Sequence, residues 1–401
     1  MKQRVLQLVD SFDQGGSERQ ALELTRLLHD SGKYEVLLAS LKAEGVLRAS
    51  IENLKLGDVP SYPLTSFYDV NAMKQLRRLV QHLRSSRIDV LHTHDFYTNI
   101  FGMTAGLLAG VKVRIASRRD TSGMRSRGQT RAARLAYSLA HQIVANSEAV
   151  KQKLIDEGIK AERITVVHNG LNLERIKPSA NVSREEILSG LGVADTSRQF
   201  VTIVANMRHA VKDYPMFLRA AQRMSKLMPD VGFLLAGEGE LEGSLKQLAV
   251  ELGIEGSTFF LGRAESVADP LSVSDVCVLS SRAEGFSNSI LEYMAAGRAV
   301  VATDVGGARE AIVEGETGYI VPSGNDELMA ERIMGLLRDP LKARSMGEQG
   351  RRVVEEKFSS QALLRNTEAL YERLLTAHTS RAEARNGGPV CPPTHEKRAH
   401  T

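Results

Sequence analysis

The sequence predicts an α/β protein made of two doubly wound, Rossmann-like domains facing each other across a cleft. Three observations carry this. Short apolar runs of strand length alternate with helix-like stretches along the chain, the pattern of parallel sheets covered by helices on both faces. The alternation breaks once, in a polar stretch between Asn169 and Arg198, and then restarts. The 401 residues, 42% of them hydrophobic, are enough for two sizeable cores.

In the first half, strands are predicted at Val5–Val9, Glu35–Leu41, Ile88–His92, Val111–Ser117, Ile143–Asn146 and Ile164–His168. Gly15-Gly16 leads into a helix whose Ala21, Leu24, Leu27 and Leu28 fall at helical spacing, with Ser17 and Gln20 as a capping-box pair. Further helices read at Met73–Leu83 and Thr130–Ala140. Asn169-Gly170 is a turn, with Pro178 beyond it. The second half gives strands at Phe200–Ala205, Phe233–Ala236, Thr258–Leu261, Val276–Ser280, Ala299–Ala302 and Tyr319–Val321, and Pro215 suits the first turn of a helix. The expected division is a first domain over 1–168, a second over 169–355, a helix over 356–378 and a disordered tail over 379–401, where Gly, Pro and charge mix.

Composition excludes several classes. The two cysteines, Cys277 and Cys391, are too few for a zinc module or a disulfide framework and fit a reducing, cytoplasmic compartment. No run approaches the roughly 20 apolar residues of a membrane span, and Val5–Val9 is too short for a signal-peptide core. The net charge of +4 is mild. With no Trp and 5% aromatics, a base-stacking surface is poorly supplied, so nucleic acid is not expected as a partner. One block stands out: seven arginines between Arg114 and Arg134 against a single acid, Asp120. It reads either as solvated helix arginines or as contact with an anionic acceptor or membrane surface.

In doubly wound sheets ligands bind beyond the carboxyl ends of the strands. After Val9, Gly15 and Gly16 let backbone approach a ligand ahead of a helix N-terminus, which suits an anion; a tight turn alone is the other reading. After Ala205, Arg208 and Lys212 flank a loop that opens a helix, either as two fixed cations for a diphosphate or as solvated surface charges. After Ser280, Glu284, Gly285, Phe286, Ser287, Asn288 and Glu292 set two carboxylates eight positions apart around small polar residues. They can accept from hydroxyls at both ends of a ligand, although Ser289 and Glu292 also spell a capping box. Gly237-Glu238-Gly239 and Asp304…Gly306-Gly307…Glu310 repeat the strand–glycine–helix arrangement. The implied ligand carries a diphosphate and sugar hydroxyls.

These pieces resemble the retaining GT-B glycosyltransferases of family 4, the "glycosyl transferases group 1". The Gly15-Gly16 loop, Asn169-Gly170, Arg208 with Lys212, Ala236 to Gly239, Phe260-Leu-Gly262, Glu284 with Glu292, and Asp304 to Gly318 follow the family's order over roughly residues 1–375. The resemblance implies a GT-B fold whose terminal helix braces the first domain. It implies that Glu292 binds the ribose, Glu284 the donor sugar, and Arg208 and Lys212 the departing diphosphate. Backbone at Phe286, Ser287 and Asn288 would complete that grip, Gly16 would approach the phosphates from the other domain, and Gly237 and Glu238 would face the base. It implies no metal and no cofactor, only a nucleotide sugar, taken as a UDP-sugar. The chain departs from the family where a His is common and Arg118-Arg119-Asp120 stands. Asp120 is therefore the candidate base for the acceptor hydroxyl, with Arg118 and Arg119 toward an acceptor phosphate.

His92 and His94 share one face by the two-residue period, and the expectation is one packed His and one in the acceptor cleft. The function expected is transfer of a sugar, with retention, to a glycan or lipid-linked acceptor in cell-surface polysaccharide synthesis, by a cytoplasmic protein in peripheral contact with an anionic membrane. The alternatives are a nucleotide-sugar epimerase and a non-catalytic sugar-binding module.

Overall fold

A computed structural model describes residues 2–386 apart from 14, 68, 122–125, 179–181 and 264–265. In chain order the first half runs β1 (Gln3–Val9), α1 (Gly16–Asp30), β2 (Tyr34–Ser40), α2 (Arg48–Glu52), α3 (Val70–Ser85), β3 (Val90–Thr93), α4 (Phe96–Ala109), β4 (Val113–Arg118), α5 (Arg127–Leu139), β5 (Gln142–Ala145), α6 (Glu148–Asp156) and β6 (Ile164–Val166). The second runs α7 (Arg184–Gly190), β7 (Gln199–Val204), α8 (Tyr214–Leu227), β8 (Val231–Ala236), α9 (Glu242–Glu251), β9 (Thr258–Gly262), α10 (Ala268–Ser272), β10 (Val276–Leu279), α11 (Asn288–Ala295), β11 (Ala299–Thr303), α12 (Ala308–Ala311) and β12 (Gly318–Val321). Three helices follow among the described residues: α13 (Asp326–Arg338), α14 (Pro340–Lys357) and α15 (Ser360–Asn386).

Every strand read from the sequence is present, because helices cover both faces and a strand buried on both sides is a near-continuous apolar run. The two six-stranded sheets are parallel throughout, in the orders β2-β1-β3-β4-β5-β6 and β12-β11-β10-β7-β8-β9. The first order reverses between β1 and β3, the second between β7 and β10. Ligand crevices open at such reversals, so topology alone aims the loops after β1, β3, β7 and β10 at one place.

Each domain has its own core, around Leu6, Phe101 and Tyr137 in the first and Phe217, Phe233 and Met224 in the second. A further cluster joins Val5, Leu24 and Leu28 of the first domain to Leu363, Leu370 and Tyr371 of α15. The last helix therefore supplies part of the first domain's interior. The chain crosses between domains twice at one spot, where Leu171 pairs with Ser359 in a parallel bridge, Leu171 N–H donating to Phe358 O at 2.8 Å and Ser360 N–H to Leu171 O at 3.0 Å.

Two expectations change. Ser17 and Gln20 form no capping box: α1 starts on Gly15 without a side-chain cap. Gln20 instead spans the domains, donating to Gly170 O (2.9 Å) and Asn288 Oδ1 (3.3 Å) and accepting from Gly170 N–H (3.0 Å). The tail expected to be disordered from residue 379 continues α15 as far as Asn386; residues 387–401 lie outside the described residues.

Candidate active site

The loops meet in an interdomain cleft of about 370 Å³. The first domain lines it with Gly15, Gly16, Ser17, Arg19, Arg119 and Asn146. The second contributes Arg208, Lys212, Gly237, Glu238, Arg263 and the segment from Glu284 to Glu292.

Lys212 is held from behind. Asp213 takes a left-handed backbone (φ 44°), which costs a non-glycine residue about 1–3 kcal/mol. Its carboxylate secures the bend by capping α8 through Met216 N–H (3.3 Å) and by accepting from Arg282 at 2.7 and 3.1 Å. Ser280 Oγ donates to Lys212 O at 2.8 Å. The Lys212 ammonium so placed meets Glu284 Oε1 at 2.6 Å, and Ser281 Oγ donates to the same oxygen at 2.7 Å. Arg208 is half exposed and stands 3.6 Å from Glu238.

Glu292 is buried, and burial raises its carboxyl above the ordinary 4.5, with Arg19 and Arg175 pulling it back. The capping-box reading fails, because the N-cap of α11 is Ser287 and Ser289 Oγ donates to Val204 O at 2.9 Å. Glu292 is thus left to face the cleft.

Glycines let the loops stack. Gly237 has φ 152°, and a Cβ there would run into the Ala205 carbonyl. A Cβ on Gly285 would strike the Arg119 carbonyl across the domain boundary, and one on Gly306 (φ 54°) the Glu284 carbonyl. Around them Ser147 Oγ donates to Gly285 O at 3.0 Å, and the Thr121 hydroxyl donates to Glu284 O. Asn169 Nδ2 donates to Phe286 O (3.1 Å) and Asn288 Oδ1 (2.8 Å). The Phe286 ring itself packs against His168 and Phe358, so only its backbone faces the cleft chemistry.

The acceptor-side expectations need correction. His92 and His94 do share a face, stacking at 4.3 Å, but neither lines the cleft and both are interior. His92 bonds Tyr371 Oη and Ser117 Oγ at 2.7 Å each, and His94 Nε2 meets Gln7 Oε1 at 2.6 Å. Burial pushes His92 down to about 3 and His94 well below its ordinary value. The face they share is covered by α15, which strand periodicity does not reveal. Arg118 is also interior, paired with Glu157 at 2.5 Å. Asp120 stands 3.8 Å from Arg118 and is not among the residues lining the cleft. Arg119 alone of the three reaches it, donating to Asn169 Oδ1 at 2.7 Å; burial brings its guanidinium down to about 10 while Asp95 and Glu18 oppose that shift.

Sequence reading missed Arg19, Asn146 and Arg263. Arg19 lies one turn into α1, and nothing in helical spacing marks it. Asn146 follows β5 and was accessible to the same strand-end rule. Among the described residues no three His, Cys, Asp or Glu side chains gather as metal ligands, and no helix is long and apolar enough to cross a membrane.

Two family models match, one on each domain: Glycosyltransferase Family 4 over residues 14–175 and Glycosyl transferases group 1 over residues 198–339. The chain belongs to the GT-B glycosyltransferases. Among solved structures the GT-B fold is shared with Anabaena HepE in complex with UDP, at a TM-score of 0.81 and 22% identity, covering 93% of this chain and 100% of that one. N-acetyl-alpha-D-glucosaminyl L-malate synthase of Bacillus anthracis is 36% identical over 156 residues, 38% of this chain and 41% of that protein. The capsular polysaccharide biosynthesis glycosyltransferase CapM of Staphylococcus aureus is 29% identical over 252 residues, 60% and 64%. The matched stretches span less than two thirds of either relative.

Proposed function

We propose that the cleft transfers a sugar from a nucleoside diphosphate donor to a hydroxyl of a glycan or lipid-linked acceptor, with retention, in the making of a surface polysaccharide. The observation that carries this is the Glu284–Lys212 pair, in one cleft with Arg208 and Glu292, where both sheets reverse order. In this reading Glu292 takes the ribose hydroxyls and Glu284 those of the sugar. As the bond from the anomeric carbon to phosphate oxygen breaks, negative charge grows on the diphosphate, and Lys212 and Arg208 stabilise it from fixed positions. The charge is assigned to these side chains rather than to a resident metal or cofactor. The acceptor oxygen attacks from the face the diphosphate leaves, and its proton passes to the departing phosphate oxygen.

UDP is the nucleotide proposed, supported by the UDP bound in the HepE structure. The capsule-related CapM supports the class of product. The test is a thermal-shift screen of UDP, GDP and ADP and their sugars, followed by turnover with the stabilising donor. A ligand at one hundred times its Kd adds about 2.7 kcal/mol. Stabilisation by UDP or a UDP-sugar, lost in Glu292→Ala, is expected; indifference to all three nucleotides overturns the reading. A changed sugar nucleotide formed without acceptor would favour an epimerase instead.

A further inference from the structure

Helices α3, α4 and α5 lie side by side on one face of the first sheet, with α4 in the middle. Their sequences hold not one Asp or Glu. On α3, Lys74, Arg77, Arg78 and Arg84 are exposed; on α5, Arg127, Arg131 and Arg134 are. None of the seven is ion-paired among the described residues. The arginine block seen in the sequence thus divides. Arg114 bonds backbone carbonyls at Val111 and Leu139, Arg118 is interior and Arg119 is in the cleft, while the α5 arginines face outward; Arg125 lies outside the described residues.

The same face exposes apolar side chains. Of the twelve large hydrophobic residues exposed among the described residues, six are here: Val70 and Met73 on α3, Tyr97, Leu107 and Leu108 on α4, and Leu135 on α5. Leu135 is 67% exposed and Met73 59%. A groove runs along α3 between Met73, Leu76 and Val80 to Leu108, edged by Arg77 and Arg84. Exposed apolar side chains, set among basic ones that no carboxylate pairs, match a surface that is itself anionic over an apolar interior.

We propose that the α3–α4–α5 face docks this protein on an anionic lipid bilayer, the arginines meeting headgroups while Met73, Leu107, Leu108 and Leu135 enter the acyl boundary. Basic residues near an anionic leaflet each contribute attraction, and the apolar contacts make it outlast salt. The N-termini of α3 and α4 lie at the carboxyl ends of the strands, so the docked face reaches the rim of the cleft. The inference does not depend on the sugar-transfer reading, because docking is measured without turnover.

The test is co-flotation of the full chain with vesicles of phosphatidylcholine alone and with about one third phosphatidylglycerol, at about 0.15 M salt. Binding to the anionic vesicles only is expected. The double variant Arg77→Glu/Arg131→Glu lowers partitioning at least about tenfold. Met73→Ser/Leu108→Ser leaves low-salt binding in place but makes it wash off in high salt. An unchanged thermal midpoint for both variants shows that they fold. No flotation with anionic vesicles, or equal flotation of the charge-reversed variant, overturns the proposal. So does retention on duplex DNA without flotation, which would make the face a polyanion site of another kind.

Discussion

Lys212 and Glu292 carry opposite burdens. In the proposed reaction Lys212 stabilises the charge that develops on the diphosphate, so Lys212→Ala is expected to lower kcat about 10²–10³-fold, the usual loss when one fixed electrostatic partner is removed. It also leaves Glu284 with Ser281 alone, so the loss should exceed that of Arg208→Ala, whose guanidinium is half exposed. Steady-state kinetics on both variants checks the order. Glu292 has a raised carboxyl because burial disfavours its charge. In the proposed role the ionised form accepts ribose hydroxyls, so nucleotide affinity should hold at neutral pH and fall as pH drops through a value above 4.5. Glu292→Gln should bind UDP at least about tenfold more weakly with no such inflection, as read by calorimetry. A raised folded-state pKa also means that the charged group costs stability above that pKa. The same variant should therefore melt higher at neutral pH while binding less.

The bend into α8 makes the helix a positioning device. Asp213→Ala removes the cap and the Arg282 partner but keeps the left-handed strain. It should cost about 1–2 kcal/mol in denaturant unfolding and weaken catalysis through Lys212. Asp213→Gly should recover part of the stability, since glycine accepts the bend. At this scale the sequence was most readable. Strands buried on both faces announce themselves, and the rule that ligands sit past their carboxyl ends found Arg208, Lys212, Glu284 and Glu292 beside the cleft. It was least readable where a side chain's surroundings come from a distant element. His92 and His94 point where their spacing says, but α15 covers that side. Gln20 has capping spelling and spends its amide on Gly170 and Asn288. Arg19 reaches the cleft from a helix whose pattern records only its buried face.

Across the whole molecule, Glu310 ties the domains together. From α12 of the second domain it meets His168 Nε2 at 2.8 Å and accepts from Glu148 and Ala149 N–H, the first residues of α6. Burial would raise its carboxyl, but His168 and the two N–H groups bring it below the ordinary value. A lowered folded-state pKa gives stability that is present above the unfolded value near 4.5 and is lost as pH falls through the folded one. Glu310→Gln should thus widen the interdomain angle in small-angle scattering at neutral pH, and lowering the pH below 4.5 should open the unaltered protein toward the same shape. The course of α15 has another result. The first domain is made first on the ribosome, yet Leu363, Leu370 and Tyr371, which complete its interior, emerge only after the second domain has been made. Until then Val5, Leu24 and Leu28 wait uncovered. A message cut short before residue 360 should therefore yield not a working half but a sticky, chaperone-bound fragment, soluble again when a peptide of residues 360–386 is supplied in trans.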